Sequence, residues 1–175
     1  NEANIEIATN DVSNTVAGNN DHVDDDGNIE MIETIKLENE IFEALQVART
    51  NPLQMAKEIF ARMNDNFDKD GRLHFDWGIV ETNQGKTAYE KAIMFLTKKQ
   101  PQTSLLYSNG IHNAIREHVH KLVDDHQHLE AEDIEKHGIA VGSVIEVVEY
   151  GPWKSGLDWV IAFLVDDGDV NDKHR

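Results

Sequence analysis

The sequence predicts a helix-rich α+β domain preceded by an acidic arm. Three observations carry that prediction. Apolar residues recur at helical spacing in segment after segment between Leu37 and Val165, each bounded by a cap or a proline. One β-branched run, Ser143 to Tyr150 with Val144, Ile145, Val147 and Val148, reads as a strand. Residues 1–34 are rich in Asn, Asp and Glu, carry few large apolar side chains, and centre on Asp24-Asp25-Asp26-Gly27. Repulsion among those acids opposes compaction, so this stretch is expected to be an extended or disordered arm, with the domain over 35–175.

The elements follow in order. Leu37, Ile41, Leu45 and Val47 set a first helix. Asn51-Pro52 is an N-cap followed by proline at the first helical position, opening a second helix through Met63. Asn64 to Gln84 is expected to be a loop around Asp68-Lys69-Asp70-Gly71. Lys86 to Lys99 forms a third helix with Ala88, Ala92, Ile93 and Leu96 on one side, stopped by Pro101. Ser108 caps a long helix bearing Ile111, Ile115, Val119 and Leu122. A short helix around Ile134 precedes the strand, and Ser155 caps the last helix.

Composition narrows the function. With 175 residues, 39% of them hydrophobic, the chain can bury one modest core. It holds 33 acidic against 16 basic residues, a formal net charge of -17, which opposes binding to phosphate backbones and to anionic membranes. Cysteine is absent, so disulfides, thiolate nucleophiles and Cys-type zinc sites are excluded. No apolar run approaches the roughly 18 residues of a membrane span. No asparagine lies in a glycosylation sequon. The chain opens on Asn1, which suits a removed leader or a fragment.

Six short motifs stand in a fixed order: Ala48-Arg49-Thr50-Asn51-Pro52, then Thr82-Asn83-Gln84-Gly85-Lys86-Thr87-Ala88 through Phe95-Leu96, then Ala114-Ile115-Arg116-Glu117-His118-Val119. Asp133-Ile134-Glu135-Lys136-His137-Gly138, Glu146-Val147-Val148-Glu149-Tyr150-Gly151 and Asp166-Asp167-Gly168 through His174-Arg175 complete the series. Together they resemble the CAP superfamily (SCP domain), in its cysteine-poor microbial and protist branch. The resemblance spans residues 41–175. It implies an α-β-α sandwich, and since family domains continue past the final His-Arg, the sheet here is expected to be incomplete and covered by a protein partner at its edge.

The resemblance also implies a cavity of histidines and acids able to hold a divalent metal. Glu146, His174 and either His126 or His128 occupy the matching positions. Three departures weigh against a working site. The glycine-rich loop is shortened to Asp124-Asp125-His126-Gln127-His128-Leu129-Glu130, Lys173 replaces a glycine beside His174, and Val147 replaces an asparagine. A cation beside His174 disfavours metal by like-charge repulsion. Packing and hydrogen bonding are the expected roles of these residues.

Two segments imitate calcium loops. Asn66 to Leu73 offers Asp68 and Asp70 before Gly71, yet its twelfth position is Trp77 where a bidentate Glu is required. His22 to Glu33 ends correctly but begins on histidine. His118 and His120 are spaced i,i+2 and point to different helix faces, so His118 is expected to be structural, beside Arg116 and Glu117. No Gly-rich phosphate loop or nucleophile elbow is present, and Ser104, Ser108, Ser143 and Ser155 read as caps and turns. The Tyr150-Gly151-Pro152-Trp153 turn and Trp159 add aromatic mass, expected in the core.

These readings converge on a non-enzymatic structural or interaction component, without a resident cofactor, working in a larger assembly. The alternatives are a secreted protein holding a divalent metal or a lipid in the cavity, and a calcium-responsive module using the Asp-Gly loops. The compartment stays open: the resemblance implies secretion or a lumen, whereas the lack of cysteine and sequons suits an intracellular assembly.

Overall fold

A computed structural model of the protein describes residues 25–125, 131–139 and 146–168. Eight elements run along them: α1 (Asp25–Thr50), α2 (Pro52–Asn66), β1 (Leu73–Phe75), β2 (Gly78–Val80), α3 (Lys86–Lys98), α4 (Asn109–Asp125), α5 (Ala131–Glu135) and α6 (Gly156–Val165). The molecule is helix-rich with one small antiparallel sheet among the described residues.

Helix boundaries follow the local chemistry. Asn51 accepts a hydrogen bond from the Gln54 N–H, 3.2 Å, and Pro52 starts α2 where its missing N–H costs nothing. Ser155 caps α6 by accepting from Asp158 N–H, 3.2 Å, while its own hydroxyl donates to the Asp158 carboxylate, 2.7 Å. Asp166 closes α6 in the left-handed conformation, φ 53°. That conformation suits a short polar side chain.

The core lies between α2, α3 and α6. Met55, Ile59 and Met63 project from α2, Ala88, Tyr89, Ala92 and Leu96 from α3, and Val160, Ile161 and Val165 from α6. Leu73 of β1 and Ala44 of α1 belong to the same cluster. Each large buried side chain contributes about 1.5–3 kcal/mol of apolar transfer. Burial of the Tyr89 hydroxyl pushes its ionisation well above the usual phenol range, so it remains protonated, with the Phe67 ring edge-on at 5.1 Å.

Helix α6 is pressed onto α1. Gly156 donates its N–H to Glu40, 3.2 Å, and a Cβ built there would overlap the backbone at Glu40 and Ile41. Only glycine permits this approach.

The structure differs from the sequence expectation at three places. The first helix starts at Asp25, so the last part of the expected 1–34 arm is helical. Asp25 and Asp26 sit in its first turn, where acids are favoured by the helix dipole, an attraction that charge counting alone overlooks. The expected loop from Asn64 to Gln84 contains the end of α2 and a hairpin, with Leu73 opposite Val80, His74 opposite Ile79 and Phe75 opposite Gly78. Strands of three residues are too short to show alternation. The described part of the expected strand, Glu146 to Tyr150, is irregular. Its first residues, like His126, His128 and His174, lie outside the described residues.

Candidate functional site

Helix α4 carries Arg116, Glu117 and His118 of the third motif. Its face toward α1 carries His112 and Arg116. The Glu38 carboxylate of α1 lies 3.7 Å from His112 Nε2 and 3.6 Å from Arg116 Nε. Tyr107, just before α4, meets Phe42 of α1 edge-on at 5.4 Å. On the α5 side, Gly110 lets the helices close, since a Cβ there would sit 2.6 Å from the His137 carbonyl oxygen. His137 Nε2 then lies 3.1 Å from the Glu117 carboxylate.

His118 turns the third way, into the protein. It is 4% exposed, and Glu146 Oε1 lies 3.5 Å from its Nε2, so the histidine faces that carboxylate across the fold from Arg116 and Glu117. Among the described residues neither ring nitrogen finds a hydrogen-bond partner. Buried polar nitrogens are normally satisfied, so this ring is an anomaly. The sequence reading assigned His118 a structural role and Glu146 a cavity role without bringing them together. No local signal could have done so, because they meet across 28 residues of chain. Of the four cavity residues that the resemblance names, His126, His128, Glu146 and His174, Glu146 alone is among those described. Among the described residues no group of three or more His, Asp or Glu comes close enough to hold an ion.

One stripe of α4 faces outward. Ile111, Ile115 and Val119, spaced one helical turn apart, are 47%, 45% and 45% exposed. Their neighbours on the same helix, Ala114 and His118, are buried, so the stripe borders the core without entering it.

The Asp68-Gly71 turn has a different character from a calcium loop. Asp68 Oδ1 accepts from Asp70 N–H at 2.9 Å and from Arg72 N–H at 3.0 Å. Its Oδ2 accepts from Arg72 Nε at 3.0 Å and lies 2.8 Å from His74 Nε2. These donors, the Arg72 backbone N–H first and His74 next, hold the Asp68 carboxyl far below the usual carboxylate range. Both oxygens are committed to protein donors, and Asp70 leans toward Arg72 at 3.4 Å. The turn is thus a polar clamp on the hairpin. Calcium would have to displace every one of those donors.

Two of the sequence motifs meet in space. The Asp167 carboxylate at the end of α6 accepts from Asn83 N–H and Gln84 N–H, each 2.6 Å. That closes the turn before α3, whose own cap position is Gly85 with no side-chain bond. Sequence reasoning missed a second tie. Arg62 of α2 donates to Asp158 of α6 at 2.6 Å, and its guanidinium lies over the Phe75 ring at 5.3 Å. Phe75 in turn stacks on Trp77 at 4.6 Å and meets Trp153 edge-on at 6.0 Å. Trp153 of the aromatic turn therefore packs on the hairpin, whereas Tyr150, expected in the core, is exposed.

Set against known proteins, the chain matches no family model, no curated protein and no solved structure.

Proposed function

We propose that this chain is a non-enzymatic interaction component built on a CAP-like α-β-α domain, and that it docks on a protein partner through the outward face of α4. The carrying observation is the Ile111, Ile115 and Val119 stripe, about half exposed along two turns of one helix. Scattered single apolar residues are ordinary on a surface, whereas an aligned row on one ridge marks a contact surface. Support for the CAP-like reading comes from the ordered motifs, two of which are joined at Asp167. Support for a role other than catalysis comes from the acids themselves. Asp68, Asp158 and Asp167 are each engaged by cationic or backbone donors, which makes them poor general bases.

Site-specific photo-crosslinking in the native cells tests this reading. A photoreactive residue at Ile115 should yield one discrete adduct, and the same residue at Ile79, 55% exposed on the hairpin, should yield none. Equal labelling at both positions, or none at either, contradicts it.

A second reading, a divalent metal in the cavity, is favoured by one observation: the buried His118 ring beside Glu146, whose nitrogens find no hydrogen-bond partner among the described residues. Imidazole and carboxylate together suit a borderline cation. Two ligands fall short of the three that even open zinc sites take from protein. Zinc titration of the full chain separates the readings, since sub-micromolar affinity lost on Glu146→Gln or His174→Ala restores the metal.

A further inference from the structure

Between α3 and α4 the chain has no regular structure, yet it is tied to α1 in a fixed posture. Gln102 donates its N–H to the Arg49 carbonyl at 2.9 Å, and Arg49 Nε donates to the Thr103 carbonyl at 2.6 Å. Gln46 then takes both main-chain groups of Leu105: its Nε2 donates to the carbonyl at 2.7 Å and its Oε1 accepts the N–H at 2.8 Å. One side-chain amide meets both because they point the same way, as they do in an extended chain. There the N–H and C=O of the flanking residues point to the opposite side, away from α1. Accordingly, no hydrogen bond among the described residues engages the main chain of Ser104 or Leu106. The Leu106 side chain is 93% exposed. Tyr107 after it is fixed again, edge-on to Phe42 at 5.4 Å and 5.5 Å from the His112 ring. Leu106 is thus held out into solvent between two anchored neighbours.

We infer that this segment is an inhibitory loop for a serine endopeptidase with an apolar primary pocket, and that Leu106 is the residue the pocket takes. Such an enzyme binds its substrate as an added strand, pairing with the main chain of the residue it attacks and of the residue two before it. A pocket reads the side chain of the first. Leu106 and Ser104 offer those free groups and that side chain. The open run, 104–106, is short for a partner that adds a full strand of about five or six residues. A loop already anchored at Thr103, Leu105 and Tyr107 loses little freedom on binding. The anchors also favour inhibition over digestion. Attack of the enzyme's serine on the Leu106 carbonyl breaks the bond to Tyr107, and the serine proton passes through the enzyme's histidine to the Tyr107 nitrogen. Tyr107 is packed on Phe42 and leads into α4, so the freed amine stays beside the acyl group and re-forms the bond, returning the proton by the same route. This surface is distinct from the α4 stripe and does not depend on it.

The test titrates the full chain against chymotrypsin and against trypsin, each followed with a small chromogenic substrate. Chymotrypsin should be inhibited competitively and at least tenfold more strongly than trypsin, whose pocket takes Lys or Arg. Leu106→Lys should reverse that preference, a swap that a structural role cannot produce, and should leave thermal unfolding unchanged because the side chain is in solvent. Gln46→Ala should weaken inhibition several-fold, with mass spectrometry showing faster cleavage after Leu106. Absence of chymotrypsin inhibition, inhibition unaltered by Leu106→Lys, or rapid cleavage after Leu106 in the parent chain overturns the inference. The crosslink at Ile115 reports on a different surface, so the docking role of α4 stands or falls separately.

Discussion

Replacing Gly156 with alanine should destabilise the protein, although alanine is the better helix former. Gly156 is the first residue of α6, and in a free helix the exchange would gain up to about 1 kcal/mol. Here the added methyl would land on the backbone of α1 at Glu40 and Ile41, roughly an ångström inside the 3.5–4.0 Å of ordinary carbon contact. The obstacle is main chain inside a helix and cannot swing aside as a side chain tip would. Helix α6 must therefore shift, stretching the 3.2 Å bond from Gly156 N–H to Glu40 and disturbing Val160 and Ile161 in the core. Overpacking costs about 1–3 kcal/mol, and a clash with main chain belongs at the upper end, so a loss of about 2 kcal/mol remains once the helical gain is subtracted. Urea unfolding followed by circular dichroism reads it as a lower midpoint at unchanged slope. Stability equal to or above that of the parent would show that α6 does not rest on α1 as described.

Other expectations follow from the ion pairs and the stripe. Asp158→Ala removes both the acceptor of the Ser155 hydroxyl and the partner of Arg62, and should cost about 1.5–3 kcal/mol in chemical unfolding, the range for a hydrogen bond to a charged group. The Asp68 carboxyl is depressed in the folded state, so its contribution is complete above its unfolded value near pH 4 and fades as pH falls toward the folded one. Hydrogen exchange should accordingly show β1 and β2 losing protection below about pH 4, and Asp68→Asn should remove that dependence; protection that rises on acidification would invert the sign and refute the assignment. Ile59→Ala in the fully buried core should cost about 2–5 kcal/mol, whereas Ile115→Asp on the outward face of α4 should lie within roughly 0.5 kcal/mol of the parent in thermal unfolding.

The helices were legible because their signals are local. Asn51-Pro52, Ser155 and the Ala88, Ala92, Leu96 row each specify an element within a few residues, and α2, α3 and α6 stand where those signals put them. What escaped depends on distance along the chain or on geometry too brief to leave a pattern. The Arg62 to Asp158 tie and the His118 to Glu146 approach join residues that no spacing rule connects. The hairpin turns on three-residue strands, and its clamp at Asp68 looked like a cation loop because the same oxygens serve either purpose until their donors are known. Gly156 gave no hint in sequence, since its reason is the proximity of another helix. For the candidate site, the row of Ile111, Ile115 and Val119 was visible as helical periodicity, but which side of the row faces out is a property of packing.

Native mass spectrometry of the tagged full chain isolated from its own cells, beside the Ile115→Asp variant, tests the central claim most directly. The docking role predicts a complex of defined stoichiometry for the parent and the bare chain for the variant, with thermal unfolding of the two alike. The bare chain in both samples, or the same complex in both, would contradict an interaction surface on α4.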